Sequence, residues 1–129
     1  MSDEYPSQYT EGIRLFNAQE FFACHDVIEE LWTETLGEKR RFYQGLIQAA
    51  VALYHFGNDN LGGARKLYGS SRRYLLQYGS SYMGIDLQKF LADYQFCFQE
   101  MLDAGGTYPD GVQLKPERIP RIEFNPADQ

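Results

Sequence analysis

The sequence predicts an all-α fold, a compact antiparallel bundle of about five helices with an extended C-terminal tail. Apolar residues recur at spacings of three and four, the period that places them on one face of an α-helix. Runs of Val, Ile and Thr bounded by hairpin turns, which would indicate β-strands, are missing. Short connections between the helical segments favour antiparallel neighbours. We therefore expect a helical-bundle domain over residues 1–104, and a proline-containing tail over residues 105–129 that packs on the bundle or trails from it.

The first two helices are predicted to meet at a capped corner. Pro6 can open the first helix, which runs to about Phe16. Asn17 and Glu20 have the spacing of a capping box for the second helix, and Phe16 is positioned as a hydrophobic staple. The second helix is then expected to continue to about Leu36, where a glycine ends it.

Three further helices follow, each bounded by turn or cap residues. The third is expected over residues 38–56, before a Gly-Asn-Asp turn. Asn60 caps the fourth helix, which reaches about Gln77, and Asp86 caps the fifth, which spans residues 87–102.

The C-terminal segment is predicted to be extended. It begins with the turn sequence Tyr108-Pro109-Asp110-Gly111, and further prolines preclude a long helix. Ile119, Ile122 and Phe124 are spaced to lie over the bundle as an apolar strap.

Charge is unevenly distributed, although the chain carries only −6 in total. Residues 1–38 contain nine acids and one base, residues 39–73 contain seven bases and one acid, and the remainder is acidic again. One interpretation is that acidic and basic helix faces lie near each other, each exposed pair contributing at most ~1 kcal/mol. The alternative is a site for an anion or a nucleic acid, but a pI near 4.8 does not favour a nucleic acid partner.

Polar side chains interrupt the apolar face of the second helix. At roughly 100° per residue, His25 and Glu29 fall on the apolar half of that helix, near its edge, whereas Asp26 points elsewhere. Residues four apart are neighbours on a helix, so the imidazole and the carboxylate can meet. Because an unpaired buried carboxylate is costly, we expect Glu29 to have a partner.

The third helix carries a matching stripe. It is apolar nearly all round, which predicts a central position, but Gln44 and Gln48 interrupt it one turn apart. Their amides both donate and accept, which suits an imidazole and a carboxylate across a helix interface. We therefore expect a polar pocket between the second and third helices, with Trp32 and Tyr43 as its walls.

Three interpretations of these polar residues stay open. A hydrogen-bonded network would fix the helix register, and Glu29→Ala would then cost about 1–3 kcal/mol. A metal centre would use His25, Glu29 and His55, whose imidazole and carboxylate ligands suit zinc or iron. General acid–base chemistry would use the pair of His25 and Glu29. The ligand spacing is weak, so neither a metal nor another cofactor is predicted.

Three blocks of sequence resemble the bacterial family known as domain of unknown function 309. The resemblance covers about residues 9–90 and rests on Phe16-Asn17-x-x-Glu20-Phe21-Phe22-x-x-His25-Asp26-x-x-Glu29-x-x-Trp32, then Phe42-Tyr43-Gln44-Gly45-Leu46-Ile47-Gln48, then Asn60-x-x-Gly63-Ala64. It implies a small all-helical bundle. It implies no activity, because none is established for the family, so no catalytic residue carries over.

The functional prediction is a binding or adaptor module with a polar pocket around His25 and Glu29, whose partner is an unidentified small ligand or protein. The alternative is a small hydrolase, with or without the assistance of a metal, that uses the same two residues. Cys24 and Cys97 form no disulfide framework, and no apolar run approaches the roughly 18 residues needed to cross a bilayer. We expect a soluble cytoplasmic protein, a monomer or a homodimer, with no membrane partner.

Overall fold

The computed structural model describes residues 5–107 and 111–126. Within them, the predicted all-α class is confirmed, with helices α1 (Ser7–Asn17), α2 (Phe21–Thr33), α3 (Glu38–Gly57), α4 (Leu61–Leu75) and α5 (Leu87–Asp103). Two short 3-10 helices cover Leu76–Tyr78 and Pro116–Arg118, and two short strands are β1 (Ser81–Tyr82) and β2 (Ile85–Asp86). The turn predicted around Pro109 lies mostly outside the described residues.

The connection between α1 and α2 differs from the predicted capping box. Asn17 is the last residue of α1, and the N-cap of α2 is Glu20, whose side chain makes no capping hydrogen bond. The amide of Asn17 instead exchanges two hydrogen bonds with the backbone of Ile122 in the tail. Phe16 and Phe21 do pack, with ring centroids 5.2 Å apart. The local capping signal was overridden by a contact 105 residues away in the chain.

α2 ends three residues earlier than predicted. The hydroxyl of Thr33 donates to the Glu30 carbonyl, and the hydroxyl of Thr35 donates to the Leu31 carbonyl. Side chains that bond the preceding turn in this way compete with the helical hydrogen bonds and favour termination. Leu36, expected on the apolar face of the helix, is therefore outside it and 87% exposed.

The predicted caps of α4 and α5 are confirmed. The Asn60 side chain accepts from the Gly63 backbone N–H, and Asp86 accepts from the Lys89 backbone N–H. Each cap satisfies one of the N–H groups that the first turn of a helix leaves without a partner. These two signals are local, which is why the sequence was sufficient to identify them.

A two-stranded hairpin between α4 and α5 was not predicted. Met83 and Gly84 both have positive φ angles, of 47° and 79°, which defines the tight turn that joins β1 to β2. The strands are only two residues long, too short to give an alternating pattern in the sequence. Phe124 of the tail pairs with Ile85, so the tail extends this small sheet.

α3 is the central helix, as predicted from its apolar character. Ten of its residues are buried, and it packs between α2 and α4. A Cβ placed on Gly45 would lie 2.8 Å from the Leu75 side chain, so a glycine is required for the close approach of α4. At its far end, Phe56 packs against Phe98 of α5 with ring centroids 4.9 Å apart.

The described part of the tail covers the bundle as the predicted strap. Ile122 is buried, and Ile119 and Phe124 pack against the core. The backbone N–H of Asp86 donates to the Glu123 carbonyl, and that of Asn125 donates to the Gly84 carbonyl. Together with the Asn17 amide, these bonds attach the tail to the α1–α2 corner and to the hairpin.

Candidate functional site

A surface cavity of about 730 Å³ lies where α2 ends, α3 begins and α4 passes into its 3-10 extension. Its wall combines aromatic rings with polar and charged side chains: Trp32, Gly37, Glu38, Arg40, Arg41, Gln44, Tyr74, Gln77 and Tyr78. The early end of α2 creates the space, because residues 34–36 form a loop rather than a further helical turn. This cavity is the candidate functional site.

The start of α3 forms one side of the cavity and is held in place by two tyrosines. The Tyr78 hydroxyl donates to the Glu38 carbonyl over 2.6 Å, and the Tyr82 hydroxyl donates to the Glu38 carboxylate over 3.2 Å. Burial, followed by the nearby Glu38 carboxylate, raises the pKa of Tyr82 to about 12. The hydroxyl of Tyr82 therefore stays protonated at neutral pH and keeps donating.

Arg40 and Trp32 form a stacked pair at the edge of the cavity. The guanidinium carbon of Arg40 lies 3.9 Å from the centroid of the indole ring, within the range of a cation–π contact. The Thr35 carbonyl lies 3.5 Å from Nη1 of Arg40, at the long limit of a hydrogen bond. The stacking fixes the position of the charge without neutralising it.

The basic segment of the chain is not neutralised by carboxylates. Among the described residues, none of the seven bases between positions 39 and 73 lies within 4.0 Å of a carboxylate oxygen, and the ion pairs that do form involve other residues. Arg65 donates to the Gly105 carbonyl, and Arg72 lies 5.9 Å from the Tyr68 ring. Direct ion pairs therefore do not form in this segment within the described residues, and the interpretation that acidic and basic helix faces lie near each other stays a prediction.

The residues predicted to form one pocket lie in three different environments. Trp32 and Gln44 line the cavity. Tyr43 does not, because it is 2% exposed and packs against Tyr9 in the core. Gln48 lies one turn further along α3, and its side-chain oxygen is buried without a hydrogen-bond partner.

His25 and Glu29 lie outside the cavity lining, in a second cluster on α2. The imidazole Nε2 is 3.6 Å from a Glu29 oxygen, so the two side chains meet as predicted, but Glu29 is half exposed rather than buried. The other ring nitrogen, Nδ1, is buried and 3.1 Å from an Asp26 oxygen, without the geometry of a hydrogen bond. No described hydrogen bond joins either residue to Gln44 or Gln48, so the predicted network does not form.

Asp26, rather than His55, lies with His25 and Glu29 in a group of candidate metal ligands. The side chains of His25, Asp26 and Glu29 each offer a ligand atom within 4.8 Å of the others. Asp26 was expected to point elsewhere, because adjacent residues of a helix are separated by about 100° around its axis. The two side chains are nevertheless long enough for their polar atoms to approach each other. Nδ1 of His55 lies 3.3 Å from the Asn60 amide instead, and His55 is not part of this group.

The wall of the cavity combines aromatic and polar groups. It offers aromatic surface, amide and hydroxyl groups and two guanidinium groups, but its lining contains no histidine, cysteine or serine. Its acidic residue, Glu38, is held by Tyr82. The fold and this site define a small helical-bundle protein with a polar surface cavity between consecutive helices.

Residues 9–67 match the model of the family described as a domain of unknown function, DUF309, which confirms the resemblance for these residues. The match includes most of α1, all of α2 and α3 and the first half of α4, and thus Trp32, Arg40, Arg41 and Gln44. Tyr74 and Tyr78 lie beyond it.

Two relatives carry no stated activity. The chain is 42% identical over 73 residues to the uncharacterized protein YpuF of Bacillus subtilis (strain 168), an alignment that covers 55% of this chain and 42% of that protein. It is 37% identical over 46 residues to an uncharacterized protein of Aquifex aeolicus (strain VF5), covering 35% and 14%. The chain therefore spans less than half the length of the curated relatives it matches. None of the described helices is long and apolar enough to cross a membrane.

Proposed function

We propose that this protein is a binding module that takes a small molecule in the cavity between α2, α3 and the end of α4. The observation that carries the proposal is the composition of the cavity wall, which joins Trp32 and two tyrosines to amide and guanidinium groups in a volume of about 730 Å³. Ligand sites in proteins are concave, and polar groups placed in their walls set the orientation of the ligand. The volume falls within the ~300–1,000 Å³ usual for such sites.

The proposal moves the binding site along α2 from His25 and Glu29 to Trp32. A cytoplasmic location is part of the proposal and is supported by Cys24 and Cys97, which are both buried free thiols. A protein whose cysteines are buried free thiols does not need an oxidising compartment in order to fold.

A screen with matched variants tests the proposal. Trp32 is the single tryptophan of the chain, so its fluorescence reports on the cavity wall without interference from another indole. We expect members of a metabolite library to change this fluorescence and to raise the melting temperature. Gln44→Leu should abolish both effects, whereas Gln48→Leu, one turn away and outside the lining, should retain them. Ligands that bind Gln44→Leu and wild type equally would contradict the proposed site.

A second candidate function is a metal-assisted hydrolase at His25, Asp26 and Glu29, supported by the convergence of their three ligand atoms. An imidazole and two carboxylates are a ligand set that suits zinc and leaves an open position for water. Elemental analysis of purified protein, together with a hydrolase panel, tests it. Equal metal content in wild type and His25→Ala, or no turnover by the metal-loaded protein, would exclude this candidate.

A further inference from the structure

We propose that the cavity recognises an oxyanion, the phosphate or carboxylate group of a small organic molecule, through the guanidinium groups of Arg40 and Arg41. This inference rests on the proposed function and specifies the chemical class of the ligand. Both arginines line the cavity, and neither is within 4.0 Å of a carboxylate in the described chain.

The local charge favours an anion. The cavity wall contains two arginines and one acid, Glu38, whose carboxylate accepts a hydrogen bond from Tyr82 rather than from either guanidinium. The wall therefore carries an excess of positive charge in a chain whose total charge is −6. A single oxyanion would neutralise that excess.

The donors of the two arginines are also available. A guanidinium group has five N–H donors in a planar fork that matches carboxylate and phosphate oxygens. Arg40 uses one of them in a long contact with the Thr35 carbonyl, and Arg41 has no hydrogen-bond partner among the described residues. Because Trp32 holds the Arg40 guanidinium by stacking, less conformational entropy is lost when that group binds a ligand.

The beginning of α3 supplies a further source of positive potential. Gly37 is the N-cap residue, with a φ angle of 83°, and it has no side chain to accept from the N–H groups of the first turn. Gly37 and Glu38 line the cavity, so this end of the helix lies at the same wall as the two arginines. A helix N-terminus carries a partial positive charge that favours bound anions.

A polymer is a poorer match than a small molecule. Only two of the seven bases between positions 39 and 73 line the cavity, and the pI is near 4.8. Nucleic acid binding proteins usually present a basic face and a basic overall charge. The aromatic rings of Tyr74 and Tyr78 complete the wall and suit an organic group attached to the anion.

Four probes of related shape separate anion recognition from general binding. Inorganic phosphate, phenyl phosphate, benzoate and neutral benzyl alcohol are titrated against the full chain, with Trp32 fluorescence and calorimetry as readouts, at about 0.15 M salt to limit long-range electrostatics. We expect phenyl phosphate or benzoate to bind at least about tenfold more tightly than benzyl alcohol, as for a charge-assisted pair of hydrogen bonds. Phenyl phosphate and benzoate together distinguish a phosphate from a carboxylate ligand.

Matched arginine variants assign the effect to the cavity. Arg40→Gln and Arg41→Gln should each weaken binding of the preferred anion about tenfold. Arg73→Gln removes the same charge outside the cavity lining and should change the dissociation constant less than about twofold. Arg41 makes no hydrogen bond, ion pair or ring contact among the described residues, so Arg41→Gln is expected to fold normally and keeps the test valid if Arg40→Gln disturbs Trp32.

The failure of this inference is distinguishable from failure of the proposed function. If benzyl alcohol binds as tightly as the anions, or Arg41→Gln binds them as tightly as wild type, anion recognition is wrong while the cavity remains a binding site. If all four probes fail, anion recognition is wrong. The proposed function is contradicted only if the library screen, read by Trp32 fluorescence, also finds no ligand whose binding is lost in Gln44→Leu.

Discussion

Gln48 carries a side-chain oxygen that is buried and makes no hydrogen bond within the described chain. A buried acceptor without a partner costs the free energy of its lost hydration. Glu29, by contrast, keeps half of its surface in water, which makes its contact with His25 weak. The polar residues of α2 and α3 are therefore not a network that stabilises the interface.

We expect Gln48→Met, which has a similar volume, to raise the free energy of unfolding by about 1 kcal/mol, because it removes the unpartnered oxygen. Glu29→Ala should change it by less than about 0.5 kcal/mol, in place of the 1–3 kcal/mol expected for a buried carboxylate. Urea denaturation measures both. A loss of more than 1 kcal/mol in Gln48→Met would mean that the amide has a partner in solution.

The helices show which local signals decide structure. Asn60 and Asp86 cap the helices that they precede, because the acceptor and the N–H group are three residues apart. Asn17 has the same side chain and spacing signal but bonds the tail instead. The fold class and these two caps were predictable from the sequence because they depend on neighbours in the chain.

The candidate site was predictable only in part, because only some of its residues are positioned by their neighbours in the chain. Trp32 and Gln44 were identified because their helices were placed correctly. Tyr74 and Tyr78 were not, because their position depends on how the end of α4 packs against the start of α3. The basic run at Arg40 and Arg41 was visible in the sequence, but its lack of acidic partners required the tertiary structure.

The hairpin before α5 provides a test of how the tail is attached. Gly84 has a φ angle of 79°, and a Cβ there would lie 2.8 Å from the Phe124 ring. We expect Gly84→Ala to lower the free energy of unfolding by about 1–3 kcal/mol, from backbone strain and displacement of Phe124. Proteolysis should then cleave the tail first.

Gly62→Ala is the matched control for this change. Gly62 lies in the first turn of α4, and nothing is within 4 Å of an added Cβ. Alanine there should leave stability unchanged or raise it by up to about 1 kcal/mol. Equal effects of the two substitutions would contradict the role of Gly84 in the contact between the hairpin and the tail.

Buried thiol and phenol groups determine how the stability of the whole molecule depends on pH above neutrality. Burial raises the pKa of Cys24 and of Cys97 to about 12, and it also raises the pKa of Tyr9 and Tyr94. In the unfolded chain, thiols ionise near 8.5 and phenols near 10. Above about pH 8.5, the unfolded chain therefore binds fewer protons than the folded one.

We expect the free energy of unfolding to fall progressively as the pH rises from about 8 toward 12. Urea denaturation at pH 7, 9 and 10 measures the slope. Between pH 8.5 and 10 the thiols dominate, so the double variant Cys24→Ala/Cys97→Ala should have a shallower slope than wild type. A stability that increases over this range in wild type would contradict the assigned burial of these groups.

Paired and unpaired charged side chains lie in different parts of the molecule. Lys89 pairs with Asp93 and Lys115 with Glu100, whereas Arg40 and Arg41 line the cavity without a carboxylate partner among the described residues. We propose that a ligand binds in this cavity rather than at the cluster around His25.

The most direct test is a ¹H–¹⁵N correlation spectrum recorded while phenyl phosphate is added to the labelled full chain. We expect the largest chemical-shift changes at the Trp32 indole N–H, the Gln44 side-chain amide and the backbone of residues 37–41. The changes at His25 and Glu29 should be small. The largest shifts at His25 and Glu29, or an unchanged spectrum at saturating probe, would contradict it.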